Sequence, residues 1–235
     1  MPRTTQEKSS TKRSPISTEL LVDTAIDLIE ADGLEALSMR RLADRFGIQA
    51  ASVYWYVASK DHMLDLVVDR LLGLAYENVF VENVQQRGSE DEGPEQTLRR
   101  MAVAYRAFLL AHPDSAKVIS SRLVVGSSLA QLFEPLLGLF SRLGLDQRDS
   151  VHASYVLLGY IQGFVLQETA PLSLVTRSPT DDRSSTLKQM EAALGRLDEE
   201  RFPLTRAAAA DLAKPDLPSR FAFGLDRFLA GLTAK

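Results

Sequence analysis

The stretch LSMRRLADRFGIQAASVYWYVASKDHMLDLV, residues 37–67, divides the chain into short helices joined by tight turns. Ser38 is a good N-cap, because its hydroxyl oxygen accepts from first-turn N–H groups that have no partner in the helix. Behind it Met39, Leu42, Ala43 and Phe46 recur at i, i+3, i+4 and i+7, the spacing of one buried helix face. Gly47 makes a turn. A third short helix is expected from about Gln49 to Tyr56, with Val53 and Val57 facing inward. Ser59 then caps a long fourth helix with Leu64, Val67, Val68, Leu71, Leu72 and Ala75 on one side. Upstream, a first helix from about Thr18 to Ala31 turns Leu20, Leu21, Thr24, Ala25, Leu28 and Ile29 to one face and stops at Gly33. Three helices with a tight Phe46-Gly47-Ile48 turn before the third describe a helix-turn-helix.

Charge supports that reading. Residues 19–37 hold six acids and no Lys or Arg, whereas residues 38–60 hold Arg40, Arg41, Arg45 and Lys60 against Asp44 alone. The sign flips between the first helix and the next two, so the second and third would meet a polyanion. Residues 1–17 read as a disordered, net basic arm with few apolar groups to offset ordering entropy. The whole chain of 235 residues has a net charge of −4 and no Cys. That composition excludes a disulfide scaffold, a thiolate zinc site and a Cys nucleophile. His62, His112 and His152 are not at metal-ligand spacing and read as surface or structural residues, so no metal and no cofactor is expected. The polar N-terminus shows no signal peptide and no apolar run reaches a membrane span, so the expected location is cytoplasmic.

Helical periodicity continues to the end, and the expected fold class is all-α. A loop is expected over about 81–94, then helices over 95–111, 114–121, 127–143 (kinked at Pro135), 150–169, 186–200, 204–214 and 219–232, with a second loop over 171–185. The domain reading is an arm over 1–17, a helix-turn-helix domain over 18–63 and a ligand-binding and dimerisation domain over 64–235.

Residues 37–67 resemble the DNA-binding signature of the tetracycline-repressor (TetR) family of bacterial transcription regulators. The resemblance rests on the polar cap, the basic pair, the Gly turn, a small-residue third helix, the Tyr-Trp-Tyr run and the Ser-Lys that opens the fourth helix. It implies a homodimer on a palindromic, double-stranded operator. Small Ala50, Ala51 and Ser52 let the backbone sit deep in a major groove, and Ala methyls can touch thymine methyls. The resemblance places Gln49 and Ala50 near base edges and Tyr54 and Lys60 at phosphates; Trp55 belongs to the same aromatic run. Arg40 has the chemistry for a bidentate contact to guanine. Ser38 and Lys60 each stand at a helix N-terminus, which favours an anion. The plainer alternative is a solvated arginine face with packing aromatics.

Two further stretches, 98–118 and 221–232, resemble the regulatory domain of the tetracycline-binding member after which the family is named. Matching positions points to a small-molecule effector pocket at Tyr76, Met101, Tyr105, Ile119 and Gln167, with Phe133, Gln162 and Phe164 nearby. Ile119 stands where that relative supplies a metal-binding His, and Gln167 where it supplies a carboxylate, so a Mg²⁺-bound effector is not expected. A mostly apolar ligand held by a few polar groups is expected instead. The resemblance also implies a four-helix dimer interface from 150–169 and 219–232. Gly159 and Gly163 would admit a close partner helix, and Phe221, Leu225, Phe228, Leu229 and Leu232 form an apolar stripe. The alternative for that stripe is the chain's own core. Two competing functions remain: a small-molecule or protein-interaction module with a vestigial helix-turn-helix, and an all-α enzyme, for which no nucleophile–His–acid set is visible.

Overall fold

The computed structural model describes residues 16–85, 92–169, 183–214 and 216–233, all helix and connection with no strand among them. The basic arm up to residue 15 and most of the expected second loop lie outside the described residues. Helix α1 spans Thr18–Asp32, capped by Ser17 Oγ, which accepts from Leu20 N at 3.2 Å. It buries Val22 and Ile26 beyond the expected face, and leaves Leu20 exposed, because it packs on the helix at Lys60–Tyr76 as well as the one at Met39–Phe46. Helix α2, Met39–Phe46, starts on Ser38 and ends on left-handed Gly47 (φ 64°). Helix α3 is shorter than expected, Ala50–Val53, and Tyr54–Tyr56 continue as turns.

Helix α4, Lys60–Tyr76, begins at Ser59, whose Oγ accepts from His62 N at 3.0 Å. The expected loop after it begins later. A π-helical segment over Glu77–Gln85 carries buried Val79 and Phe80 against α5, Pro94–Ala111, so apolar contact prolongs the helical path. Helix α6 is Ser115–Ser120, and α7, Ser127–Arg142, continues across Pro135. Helix α8, Gln147–Thr169, starts a turn earlier than expected because Asp146 Oδ1 accepts from Asp149 N at 2.8 Å. Helices α9 (Arg183–Gly195), α10 (Pro203–Ala207) and α11 (Ala209–Leu212) pack on one another. Helix α12 is Leu217–Thr233.

One apolar core runs from Leu21 of α1 to Leu229 of α12. It decides the fate of the α12 stripe. Phe221, Leu225 and Leu229 are buried in their own chain, and Phe228 and Leu232 are half-buried against the same core. Tyr160 of α8 donates its hydroxyl to Phe221 O at 2.6 Å and stacks on the Phe221 ring. The stripe is therefore intramolecular where it was expected to face a partner, because α8 lies alongside to cover it. The outward faces carry other residues: Tyr155, Val156, Gly159 and Leu166 on α8, Phe223, Arg227, Ala230 and Gly231 on α12. Gly163 is half-buried, and a Cβ built on Gly159 or Gly163 meets nothing in the chain.

Gly224 is different, since a Cβ there would sit 2.9 Å from Cζ of the Tyr160 ring. That ring is held by its hydrogen bond and its stacking. Gly224→Ala is expected to push α12 off α8 and cost about 1–3 kcal/mol in urea unfolding. A Tyr160→Phe/Gly224→Ala chain should regain part of the loss, because the atom nearest the new methyl is the Tyr160 hydroxyl oxygen, while the ring carbons behind it stay close.

Candidate nucleic-acid interface and ligand cavity

Short helices and tight turns leave most of the charged and aromatic residues of 38–60 exposed. Ser38 Oγ accepts from Arg41 N at 3.2 Å and so fixes the start of α2. On the first turn Arg40 is exposed and Arg41 is not free: Arg41 pairs with Asp32 and donates to Ala36 O. Arg40, Arg45 and Lys60 form no ion pair with any described residue. Gln49 caps α3 and is exposed; Ala51 is exposed, while Ala50 and Ser52 are half-buried. Val53 and Val57 point into the core, which turns the residues between them outward. Tyr54 is 52% exposed, Tyr56 40% and Trp55 88%. A Trp ring left in water offers a large flat apolar surface with one N–H, a poor arrangement unless something covers it.

Behind this unit lies a cavity of about 210 Å³ between α4, α5, α6, α7 and α8. Of the eight expected pocket residues, Tyr105, Ile119, Phe133 and Gln162 line it. The other four lie elsewhere: Tyr76 stacks on Phe80, Met101 is packed in the core, Phe164 sits against Tyr160 and Phe221, and Gln167 is exposed. Sequence reasoning missed Arg122, Leu123 and Val124, which sit in the connection after α6, and also Leu129, Leu132, Tyr155 and Leu158. Val68 and Leu72, read only as a helix face, bring α4 to the wall. No periodicity marks the 121–126 connection, so nothing in it signalled a site.

The polar part of the wall is small. Gln162 Nε2 donates to the Tyr105 hydroxyl at 3.3 Å, and Gln162 Oε1 lies 3.1 Å from Ser120 Oγ, whose single proton also has Ala116 O at 2.7 Å. Burial pushes the Tyr105 phenol up to about 12, against the weaker opposing pull of Gln162. The unfolded chain ionises Tyr105 near 10 and the folded chain does not. Its stability contribution is intact below pH 10 and is lost as pH rises towards 12, by about 3 kcal/mol in all. Unfolding measured between pH 9 and 12 should show this loss in the unaltered chain and a smaller one in Tyr105→Phe.

Ile119 contributes no ligand atom, and no group of three His, Asp or Glu among the described residues can hold a metal. The donor set does not fit a hard divalent ion.

Several contacts tie the helix-turn-helix to the larger domain, one of them, Arg122, from the cavity wall. Arg122 Nε donates to Asp65 Oδ1 at 2.6 Å and Nη1 to Asp61 Oδ1 at 3.2 Å, both on the first turns of α4. His112 Nδ1 and Glu30 Oε1 are 2.6 Å apart, joining α5 to α1. Asp114, at φ 62°, accepts from Leu34 N at 2.8 Å through its carboxylate. Asp tolerates this left-handed backbone better than most residues. His62 and His152 are exposed. No helix among the described residues is long and apolar enough to cross a membrane.

Comparison with known proteins matches this arrangement over nearly the whole chain. Residues 21–67 match the family model for bacterial regulatory proteins of the tetR family, and 89–235 the model for the tetracyclin repressor-like C-terminal domain. The HTH-type transcriptional repressor DrrR1 of Streptomyces coeruleorubidus is 30% identical over 92% of this chain and 77% of its own length. The class D tetracycline repressor protein of Escherichia coli is 25% identical over 92% of this chain and 88% of its own. The crystal structure of ActR from Streptomyces coelicolor in complex with actinorhodin superposes with a TM-score of 0.78 at 26% identity, covering 94% of this chain and all of that one. The second family model alone spans more than half of the chain, and the chain belongs to the TetR family of transcriptional regulators, with a helix-turn-helix reader at its amino end.

Proposed function

We propose that the protein is a homodimeric, ligand-responsive transcriptional repressor that binds a palindromic operator and is released by a small, mostly apolar effector. One observation supports it above the others: Arg40, Gln49, Ala51, Tyr54, Trp55 and Lys60 are all exposed within one short stretch while their neighbours Val53 and Val57 are buried. A vestigial helix-turn-helix has no reason to keep unpaired cations and a bare Trp ring outside. DrrR1 is named a repressor and ActR is solved with a small molecule, which favours the same pairing of activities here. Two third helices about 34–36 Å apart, or a multiple of that, would read successive major grooves. The twofold contact is best served by the outward faces of α8 and α12, around Tyr155, Val156, Gly159, Gly163 and Phe223. An effector that binds better to a conformer with the two readers wrongly spaced shifts the population away from DNA. A protein of this kind acts in the cytoplasm, where the chromosome is.

The test is binding to the DNA upstream of its own gene, with mass measured in parallel. A dimer should bind, with log affinity falling by about 0.9 per phosphate contact for each log unit of salt. A monomeric chain, or no binding at low salt, overturns the reading in favour of an interaction module.

A further inference from the structure

Apart from the exposed Tyr155, the cavity wall offers three polar side chains, and their hydrogen bonds are unequally spent. Gln162 donates to Tyr105, and its oxygen shares the one Ser120 proton with Ala116 O. The Tyr105 hydroxyl accepts from Gln162 and keeps its own proton without an acceptor among the described residues. Arg122 spends Nε on Asp65 and Nη1 on Asp61, while its Nη2 has no partner among the described residues. The rest of the wall is apolar and partly aromatic, with Leu72, Val124, Leu132, Phe133 and Tyr155. Both unspent groups are donors, and one is a cation. A ligand that satisfies them must present acceptors and is favoured by negative charge.

We infer that the cavity takes an aromatic carboxylate, whose acid group draws Arg122 away from Asp61 and Asp65 and so loosens the DNA end of α4. The inference rests on the reading of this cavity as the effector site. An apolar cavity of roughly 150 Å³ accommodates benzene, so about 210 Å³ suits a small aromatic body with an acid group. The two aspartates are weak competitors. Asp61 is 80% and Asp65 45% exposed at the side chain, so water screens both pairs. A carboxylate entering from the cavity side meets the guanidinium in a drier setting and can take two of its N–H groups at once. Once released, Asp61 and Asp65 lose Arg122 as their counter-charge, so two uncompensated negative charges stand near Lys60 and weaken its hold on a phosphate.

The experiment is a fluorescence titration of the full chain with 2-naphthoate and with 2-naphthamide, which keeps the ring but not the charge, together with operator binding. The acid is expected to bind about tenfold more tightly than the amide and to displace the operator. Arg122→Gln should abolish the preference, whereas an Asp61→Asn/Asp65→Asn chain should bind the acid more tightly than the unaltered chain. The second variant keeps Arg122 and decides the matter if the first fails to fold. Equal binding of the two compounds, binding of neither, or weaker acid binding by the double variant overturns the inference. Operator release by the amide alone overturns it too, but leaves the repressor reading standing; a chain that never binds an operator fails that reading instead.

Discussion

A chain carrying Arg40→Ala is expected to lose operator affinity by at least about 30-fold and to accept a changed base at one position of each half-site. The magnitude comes from the geometry of a dimer. A bidentate Arg–guanine pair discriminates by about 1–3 kcal/mol, and a palindrome uses it twice, so the loss is about 2–6 kcal/mol. Arg41 serves as the internal control. Its guanidinium is committed to Asp32 and Ala36 O, so Arg41→Ala should disturb the turn between α1 and α2 and weaken binding evenly across operator variants. Tyr54→Phe removes one hydroxyl from a 52% exposed ring and should likewise lower affinity without relaxing sequence preference, as a phosphate contact does. Competition binding against single-base operator variants separates the three. If Arg40→Ala binds every variant as the unaltered chain does, the arginine is a solvated face and the base reading lies elsewhere.

The contrast between Arg40 and Arg41 shows how far the sequence could be read. Caps and turns are local chemistry, so Ser38, Gly47 and Ser59 marked their helix boundaries before any coordinates. Burial within the reader followed from periodicity, since Val53 and Val57 have nowhere else to go. What periodicity cannot state is which neighbour covers an apolar face. The α12 stripe was legible as a stripe, but its cover is α8 of the same chain, through Tyr160 and Phe164. The same limit applied to the cavity. Position matching reached Tyr105 and Ile119, and Phe133 and Gln162 were expected nearby, yet Met101 lies one helical turn from Tyr105 and is already in the core. Arg122 escaped notice because its value lies in Asp61 and Asp65, about sixty residues away, and no local pattern encodes a partner at that distance.

Glu168 is a second residue whose partner is distant, and its removal is expected to be the most damaging single change to stability. Arg106 reaches it from α5 through three hydrogen bonds of 2.7–3.0 Å, with side chains only 16% and 9% exposed. The same guanidinium lies 5.1 Å over the Phe221 ring, so one cation joins α5, α8 and α12. Taking away the carboxylate leaves that cation buried without its counter-charge, which costs about 3–5 kcal/mol in pairs of this kind. Glu168→Ala should therefore lower the urea midpoint sharply. Because a dimer's stability depends on protomer concentration, the comparison must be made at fixed concentration. The paired change Arg106→Met/Glu168→Leu should recover most of the loss, since apolar side chains of similar size remove both desolvation penalties together. A recovered double variant would show that the ion pair is dangerous to break and cheap to replace. If the single change is as mild as a surface substitution, the pair is screened by water that reaches it past Tyr160, and the α5–α8–α12 joint is held by Phe221 and its ring contacts alone.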